Sequence, residues 1–149
     1  MKLLTGLFHY YLVIFIGIHS LAFDKLEHNY YFAIFCNLPM GIPSAMTFKR
    51  YHADHHWYLG VPNYDVDITT RLEGSLVRSK FLKLLHLIFI GIIYGVKPLL
   101  VNPHVPNYWE IFNIACSLTF DAALAYFWGY KALIYIVLTS LMVSTLHFS

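Results

Sequence analysis

The sequence predicts an all-α integral membrane protein with about three transmembrane helices and additional helices at the membrane interface. Two observations lead to this fold class. Of the 149 residues, 58% are hydrophobic and only 12% are charged, whereas about 25% of the residues of soluble domains are charged. Several uncharged apolar stretches also approach the roughly 20 residues that a spanning helix needs. We expect a single membrane domain over residues 1–149.

Three stretches are predicted to cross the membrane. Residues 3–23 contain no Asp, Glu, Lys or Arg. Residues 111–130 and 132–148 are separated only by Lys131, which follows Gly129, and this spacing is typical of a helical hairpin. A cleaved signal peptide is an alternative interpretation of the first stretch. A retained helix is favoured because the apolar run is longer than most signal cores.

Two other apolar stretches are not predicted to span. Residues 29–48 are uncharged, but Pro39, Gly41 and Pro43 interrupt them, and proline disrupts helix interiors. We therefore expect this segment to dip into the membrane or lie on it. The run 84–96, between Lys83 and Lys97, is too short to span and suits an interfacial helix.

The distribution of basic residues predicts the orientation in the membrane. Eight of the ten Lys and Arg residues lie in the region 24–110, and the other two are Lys2 and Lys131. Since cytoplasmic loops carry an excess of Lys and Arg, the region 24–110 is predicted to be cytosolic. The formal net charge of +2 gives no indication of a nucleic-acid partner.

A histidine cluster is the main functional signal. His52, His55 and His56 are spaced i, i+3 and i+4, so a helix would present them on one face. Neutral imidazole binds iron, zinc, copper or nickel, and three converging rings indicate a metal site. We expect Asp54, or Asp65 and Asp67, to orient the second ring nitrogens by accepting hydrogen bonds from them.

The remaining histidines are weaker candidates. His19 and His147 lie near the predicted cytosolic ends of spans, at a depth from which they could approach the cluster. His9, His28, His86 and His104 are better explained as packed or solvated side chains.

Several motifs in the same order resemble the sphingolipid Δ4-desaturases of the membrane fatty-acyl desaturase family. The resemblance covers about residues 19–147, and His52-Ala53-Asp54-His55-His56 is similar to the second histidine box of that family. The other matching stretches are Asn37-Leu38-Pro39-Met40-Gly41-Ile42-Pro43, Phe48-Lys49-Arg50-Tyr51, Asp65-Val66-Asp67-Ile68, Lys97-Pro98-Leu99-Leu100-Val101-Asn102-Pro103 and Thr119-Phe120-Asp121.

The resemblance implies a di-iron enzyme of the endoplasmic reticulum membrane with its histidines on the cytosolic side. Such an enzyme uses O₂ and electrons from cytochrome b5, here expected as a separate protein, to convert dihydroceramide to ceramide. The implied metal ligands are His52, His55, His56 and His19, with His147 as a weaker candidate.

The sequence also departs from the family pattern. The first histidine box would pair His19 with a residue four positions away, and both such positions, Phe15 and Phe23, are phenylalanine. A third box is not found before Ser149, so we expect an incomplete histidine-box fold that does not convert dihydroceramide to ceramide on its own. Two hypotheses stay open beside the desaturase: a non-catalytic membrane protein, and a related membrane di-iron lipid hydroxylase.

Overall fold

A computed structural model describes residues 14–147, with side chains described as far as residue 142. Within that range every regular element is helical. After a helical segment at residues 14–18, the helices are α1 (Leu26–Asn37), a short 3-10 helix (Leu38–Met40), α2 (Ala45–Trp57), α3 (Arg71–Leu76), α4 (Lys80–Val101), α5 (Tyr108–Trp128) and α6 (Tyr130–His147). The all-helical prediction is confirmed for the described part of the chain.

The helices fall into two compact units. Of the described residues, the first unit comprises 14–50 and 106–143, and the second comprises 51–105 and 144–147. The first unit contains an apolar core in which α1 packs against the segment 14–18 and against α5. A Cβ atom on Gly17 would lie only 2.9 Å from the Cβ of Ala33, so this glycine permits the close approach of the first two helical segments.

Asn37 organises the turn that follows α1. Its side chain is completely buried, and its Oδ1 atom accepts hydrogen bonds from the backbone N–H groups of Ser44 and Ala45 at 3.0 and 3.1 Å. The Asn37 Nδ2 group donates to the carbonyl of Ile42 at 2.9 Å, and the Asn113 amide of α5 donates to Asn37 Oδ1 at 3.0 Å. One buried amide therefore fixes the turn and joins it to α5.

The interruption predicted within residues 29–48 is present. α1 ends at Asn37, Pro39 lies in the 3-10 helix, and Gly41 has a left-handed φ of 64°. The next helix, α2, begins at Ala45. Proline at the start of a helical turn and glycine at a positive φ both match the local backbone requirements.

Two helices of the described residues are long and apolar enough to cross a membrane, α4 and α5. α5 coincides with the predicted span 111–130, and the predicted span 3–23 lies largely outside the described residues. In α6 the apolar part with described side chains, Tyr130–Met142, is shorter. The side chains of α4 and α5 are mostly exposed, as expected for surfaces that face lipid rather than a protein core.

α4 is longer than its predicted apolar run of residues 84–96. Ser79 caps the N-terminus by accepting a hydrogen bond from the backbone N–H of Leu82, and the helix continues through Pro98 to Val101. Lys97 lies inside the helix, where its side chain is 7% exposed and its ammonium group is paired with Glu73. The helix therefore includes both lysines that bound the predicted apolar run.

Candidate metal centre

The three clustered histidines lie on α2, as the spacing predicts. The His52 and His56 ring centroids are 4.6 Å apart, and their Nε2 atoms are separated by 3.1 Å. The His55 ring centroid is 6.1 Å from that of His52 and 5.7 Å from that of His56. The last turns of α2 therefore carry all three imidazole rings, but only His52 and His56 bring their nitrogens close together, whereas the ligand atom of His55 lies within 4.8 Å of the carboxylates of Asp65 and Asp67.

The turn after α2 contributes a carboxylate to His55. The His55 Nδ1 atom lies 2.8 Å from Oδ1 of Asp65, a side chain that is 4% exposed, and 3.4 Å from Oδ2 of Asp67. The backbone N–H of Gly60 donates to Asp65 Oδ2 at 2.9 Å, and the backbone N–H of Asp67 donates to Asp65 Oδ1 at 3.0 Å. These contacts hold Asp65 in place as the acceptor for the His55 ring.

The electrostatics agree with this assignment. The hydrogen bond to Asp65 raises the pKa of His55, against the opposing effect of burial, and the Asp67 carboxylate adds to the increase. Burial acts to raise the pKa of Asp65, but the hydrogen bonds from Gly60, His55 and Asp67 outweigh it and lower that pKa. Burial raises the pKa of Asp67. Asp65 is therefore the ionised acceptor of the pair.

The geometry of the cluster suits a metal ion. Histidine nitrogens bind metals such as zinc at about 2.0–2.1 Å, which places neighbouring ligand nitrogens roughly 3.0–3.4 Å apart. The 3.1 Å separation of the His52 and His56 Nε2 atoms falls in this range. The His55 ring uses Nδ1 for Asp65, so a metal ion would reach this ring only at Nε2. The donor set of imidazoles with a carboxylate behind one ring is typical of protein metal sites.

The structure describes the surroundings of one of the two other predicted ligands, His19, but not the side chain of the second, His147. His19 lies directly after the helical segment 14–18 in the first unit, where its ring contacts that of Phe15 at a centroid distance of 4.4 Å. Its role as a ligand stays a prediction. His147 is the last residue of α6, but its side chain lies outside the described residues.

His104 has a partner on the helix that carries the cluster. Its Nε2 atom lies 3.2 Å from Oδ2 of Asp54, and its ring stacks obliquely on Tyr51 at 5.4 Å. The Tyr51 hydroxyl donates to the carbonyl of Asn102 at 2.9 Å. Of the predicted acceptors, Asp65 and Asp67 therefore face the cluster, while Asp54 holds the loop after α4. No sequence spacing links positions 54 and 104, so this contact required the tertiary structure.

The fold and the site together indicate a helical membrane protein, with two helices long and apolar enough to cross a membrane and histidines that could hold a metal. Proteins similar to this chain have names that agree with that class. Over 87% of the chain, it is 42% identical to the sphingolipid delta(4)-desaturase DES1 of Homo sapiens and 35% identical to the DES1-like protein of Oryza sativa. It is 43% identical over the same share to the sphingolipid delta(4)-desaturase/C4-monooxygenase DES2 of Mus musculus.

These matches confirm the resemblance that the motifs indicated: the chain is a relative of the sphingolipid delta(4)-desaturases. It spans about two fifths of the length of the curated relatives it matches, 41% for the human and mouse proteins and 39% for the rice protein. No family model matches the chain. No solved structure matches it either.

Proposed function

We propose that the chain supplies part of the iron centre of a sphingolipid Δ4-desaturase, an oxidoreductase that converts dihydroceramide to ceramide. The observation that carries the proposal is the cluster of His52, His55 and His56 on one helix end, with Asp65 behind His55. This arrangement occurs in an apolar helical chain whose relatives are named desaturases.

Each residue has a specific part in this proposal. His52, His55 and His56 would hold iron, with His55 binding through Nε2 because its Nδ1 faces Asp65. His19 and, more weakly, His147 are proposed as further ligands. When bound, the iron pair would use O₂ and electrons from a separate cytochrome b5 to remove hydrogen from the lipid chain. The site is proposed to lie on the cytosolic side of the endoplasmic reticulum membrane.

A lipid hydroxylase is the second candidate. The mouse relative is named as both a desaturase and a C4-monooxygenase, and both reactions begin by removing a hydrogen atom from the same kind of carbon chain. A non-catalytic membrane protein is the third hypothesis. Metal content distinguishes the third candidate from the first two, and the lipid product distinguishes the first from the second.

The first experiment measures metal content. The chain is purified in detergent, incubated with ferrous iron without oxygen, freed of excess metal and analysed for iron per chain. We expect iron in the wild type and its loss when His52, His55 and His56 are all replaced by alanine. His28→Ala, at an exposed position, is the matched control and should retain the iron. Equal iron in both variants would contradict the proposal.

The second experiment identifies the product. The part of the mouse relative that aligns with this chain is replaced by this chain, and the chimera is expressed in cells that lack desaturase activity. Lipid mass spectrometry then measures ceramide and its C4-hydroxylated counterpart. Ceramide as the main product supports the desaturase, and the hydroxylated lipid supports the second candidate. Neither product, from a chimera that is folded and contains iron, would contradict both.

A further inference from the structure

Lys97 is a buried cation near the C-terminal end of the apolar helix α4. Its side chain is 7% exposed, and its Nζ atom donates to the carbonyl of Ile68 at 2.7 Å. The same atom forms an ion pair with Oε2 of Glu73 at 3.0 Å. Burial of a lysine is costly unless the charge is paired and hydrogen-bonded. The ion pair with Glu73 and the hydrogen bond to the Ile68 carbonyl therefore offset the cost of burying the Lys97 charge.

The carbonyl that Lys97 binds belongs to the turn that carries Asp65. Within this turn, Val66 is 3% exposed, and the carbonyl of Asp67 accepts a hydrogen bond from the Tyr94 hydroxyl at 3.4 Å. α4 thus contacts two consecutive carbonyls of the turn, through Tyr94 and Lys97. The side chain of Asp65, at the start of the same turn, contacts His55 at 2.8 Å.

The ion pair also joins the turn to α3. Glu73 completes a capping box with Thr70: the Glu73 carboxylate accepts from the Thr70 backbone N–H, and the Thr70 hydroxyl accepts from the Glu73 backbone N–H. Loss of the Lys97 ammonium would leave Glu73 without its buried partner and the Ile68 carbonyl without its donor. An unsatisfied buried polar group is costly, so the turn would relax to satisfy these groups elsewhere.

We propose that Lys97 is a positioning residue of the metal centre, acting through the turn 65–68 and Asp65 on the His55 ring. The inference rests on the proposed function, since it gives Lys97 a role toward the metal. A hydrogen bond from Nδ1 fixes which nitrogen of a histidine is free to bind metal. Lys97 therefore sets the tautomer and direction of His55 from a distance, without touching the histidine or the metal.

The first test uses metal-free protein. Nitrogen NMR of histidine-labelled chain in detergent reports the tautomer of each ring, and His55→Gln identifies the His55 signals. We expect His55 to carry its proton on Nδ1 in the wild type and in Lys83→Met, an exposed lysine of the same helix. Lys97→Met should convert His55 to a mixture of tautomers. An unchanged His55 spectrum in folded Lys97→Met would overturn the inference without affecting the proposed function.

The second test titrates the same proteins with Co²⁺ alone and measures affinity from visible absorption, whose intensity also reports coordination geometry. We expect affinity about tenfold weaker in Lys97→Met, at the lower end of the 10–100-fold losses typical of groups behind metal ligands. Glu73→Gln keeps the hydrogen bond between Lys97 and Ile68, so its Co²⁺ affinity should fall by less than that of Lys97→Met.

If Lys97→Met does not fold, Tyr94→Phe removes the second contact to the turn and should weaken Co²⁺ binding in the same direction. A lower unfolding temperature with unchanged Co²⁺ affinity and spectrum would overturn the positioning role. A wild type that binds no Co²⁺ would instead contradict the proposed function, while the NMR result would still decide whether Lys97 orients His55.

Discussion

At the scale of single residues, polar side chains buried in an apolar chain determine the local geometry. Asn29, Asn37 and Asn113 are almost fully buried, and each forms several hydrogen bonds that satisfy buried polar groups. The bonds of Asn29 are to backbone groups, whereas Asn113 bonds mainly to the side chains of Asn37 and Ser117. The Asn29 side chain accepts from the backbone N–H groups of Ala22 and Phe23. Asp65 is also buried and accepts hydrogen bonds from backbone N–H groups, but its carboxylate also contacts the His55 ring.

Asp65 and Asp54 are predicted to differ in their effect on metal binding. Asp65→Ala removes the acceptor of His55 Nδ1 and should weaken metal affinity about 10–100-fold. Asp54→Ala is the matched control, because Asp54 pairs with His104 at 3.2 Å rather than with the cluster, and its effect should stay below about threefold. Metal titration of both purified variants makes the comparison. Equal losses would show that Asp65 has no special role.

At the scale of secondary-structure elements, the contact between Glu73 and Lys97 constrains how α4 lies in the membrane. Glu73 precedes α4, which starts at Lys80. Its partner, Lys97, lies about 25 Å further along the helix axis than Lys80, at a rise of 1.5 Å per residue. The segment containing Arg71, Glu73 and Arg78 therefore runs beside α4. If α4 crossed the bilayer, these charges would enter the hydrocarbon at high cost. This contact favours the interfacial helix that the sequence predicts.

Alanine substitutions at two glycines test whether the turn between α1 and α2 requires its left-handed backbone conformation. Gly41 has a positive φ, and an added Cβ would lie 2.8 Å from the Cγ2 atom of Val137 in α6. Gly41→Ala should destabilise the protein by more than about 1–2 kcal/mol, the cost of the left-handed conformation alone. Gly74→Ala, in α3 with open space around it, should instead stabilise by about 0.5–1 kcal/mol.

Unfolding of both glycine variants in the same detergent measures the difference. The control separates the effect of the turn conformation from any general effect of adding a methyl group. If Gly41→Ala were as stable as the wild type, the turn between α1 and α2 would not require this backbone conformation.

At the scale of the whole molecule, the charge pattern predicts sidedness. Cysteines are placed singly at positions 78 and 131 in a chain whose Cys36 and Cys116 are replaced by alanine. In sealed microsomes, a membrane-impermeant thiol reagent should label position 78 from the cytosolic side and reach position 131 only after permeabilisation. The physical reason is the retention of Lys and Arg on the cytosolic side.

The same labelling experiment tests the position of α4. Protection of position 78 in sealed vesicles would overturn the predicted orientation. Labelling of positions 78 and 131 from the same side would show that α4 crosses the bilayer as well as α5, because both helices lie between the two positions. Labelling of both positions after permeabilisation is the control for accessibility of each cysteine.

The sequence by itself determined the class of the protein and the identity of the cluster. Composition and apolar run lengths are additive properties of the chain, so they predict a helical membrane protein without knowledge of packing. The i, i+3, i+4 spacing of His52, His55 and His56 predicts a shared helix face from helix geometry alone, and all three residues lie on α2. The break at Pro39 and Gly41 is likewise a local backbone property.

The tertiary structure alone decided which partners meet across the chain. Three acceptors were open for the histidines, and only the fold of the turn after α2 selects Asp65 for His55 and leaves Asp54 to His104. The sequence bounded the apolar run at Lys97, and only the structure shows that this lysine lies inside α4, buried and paired with Glu73. Such pairings depend on distances between segments, and a linear pattern does not encode those distances.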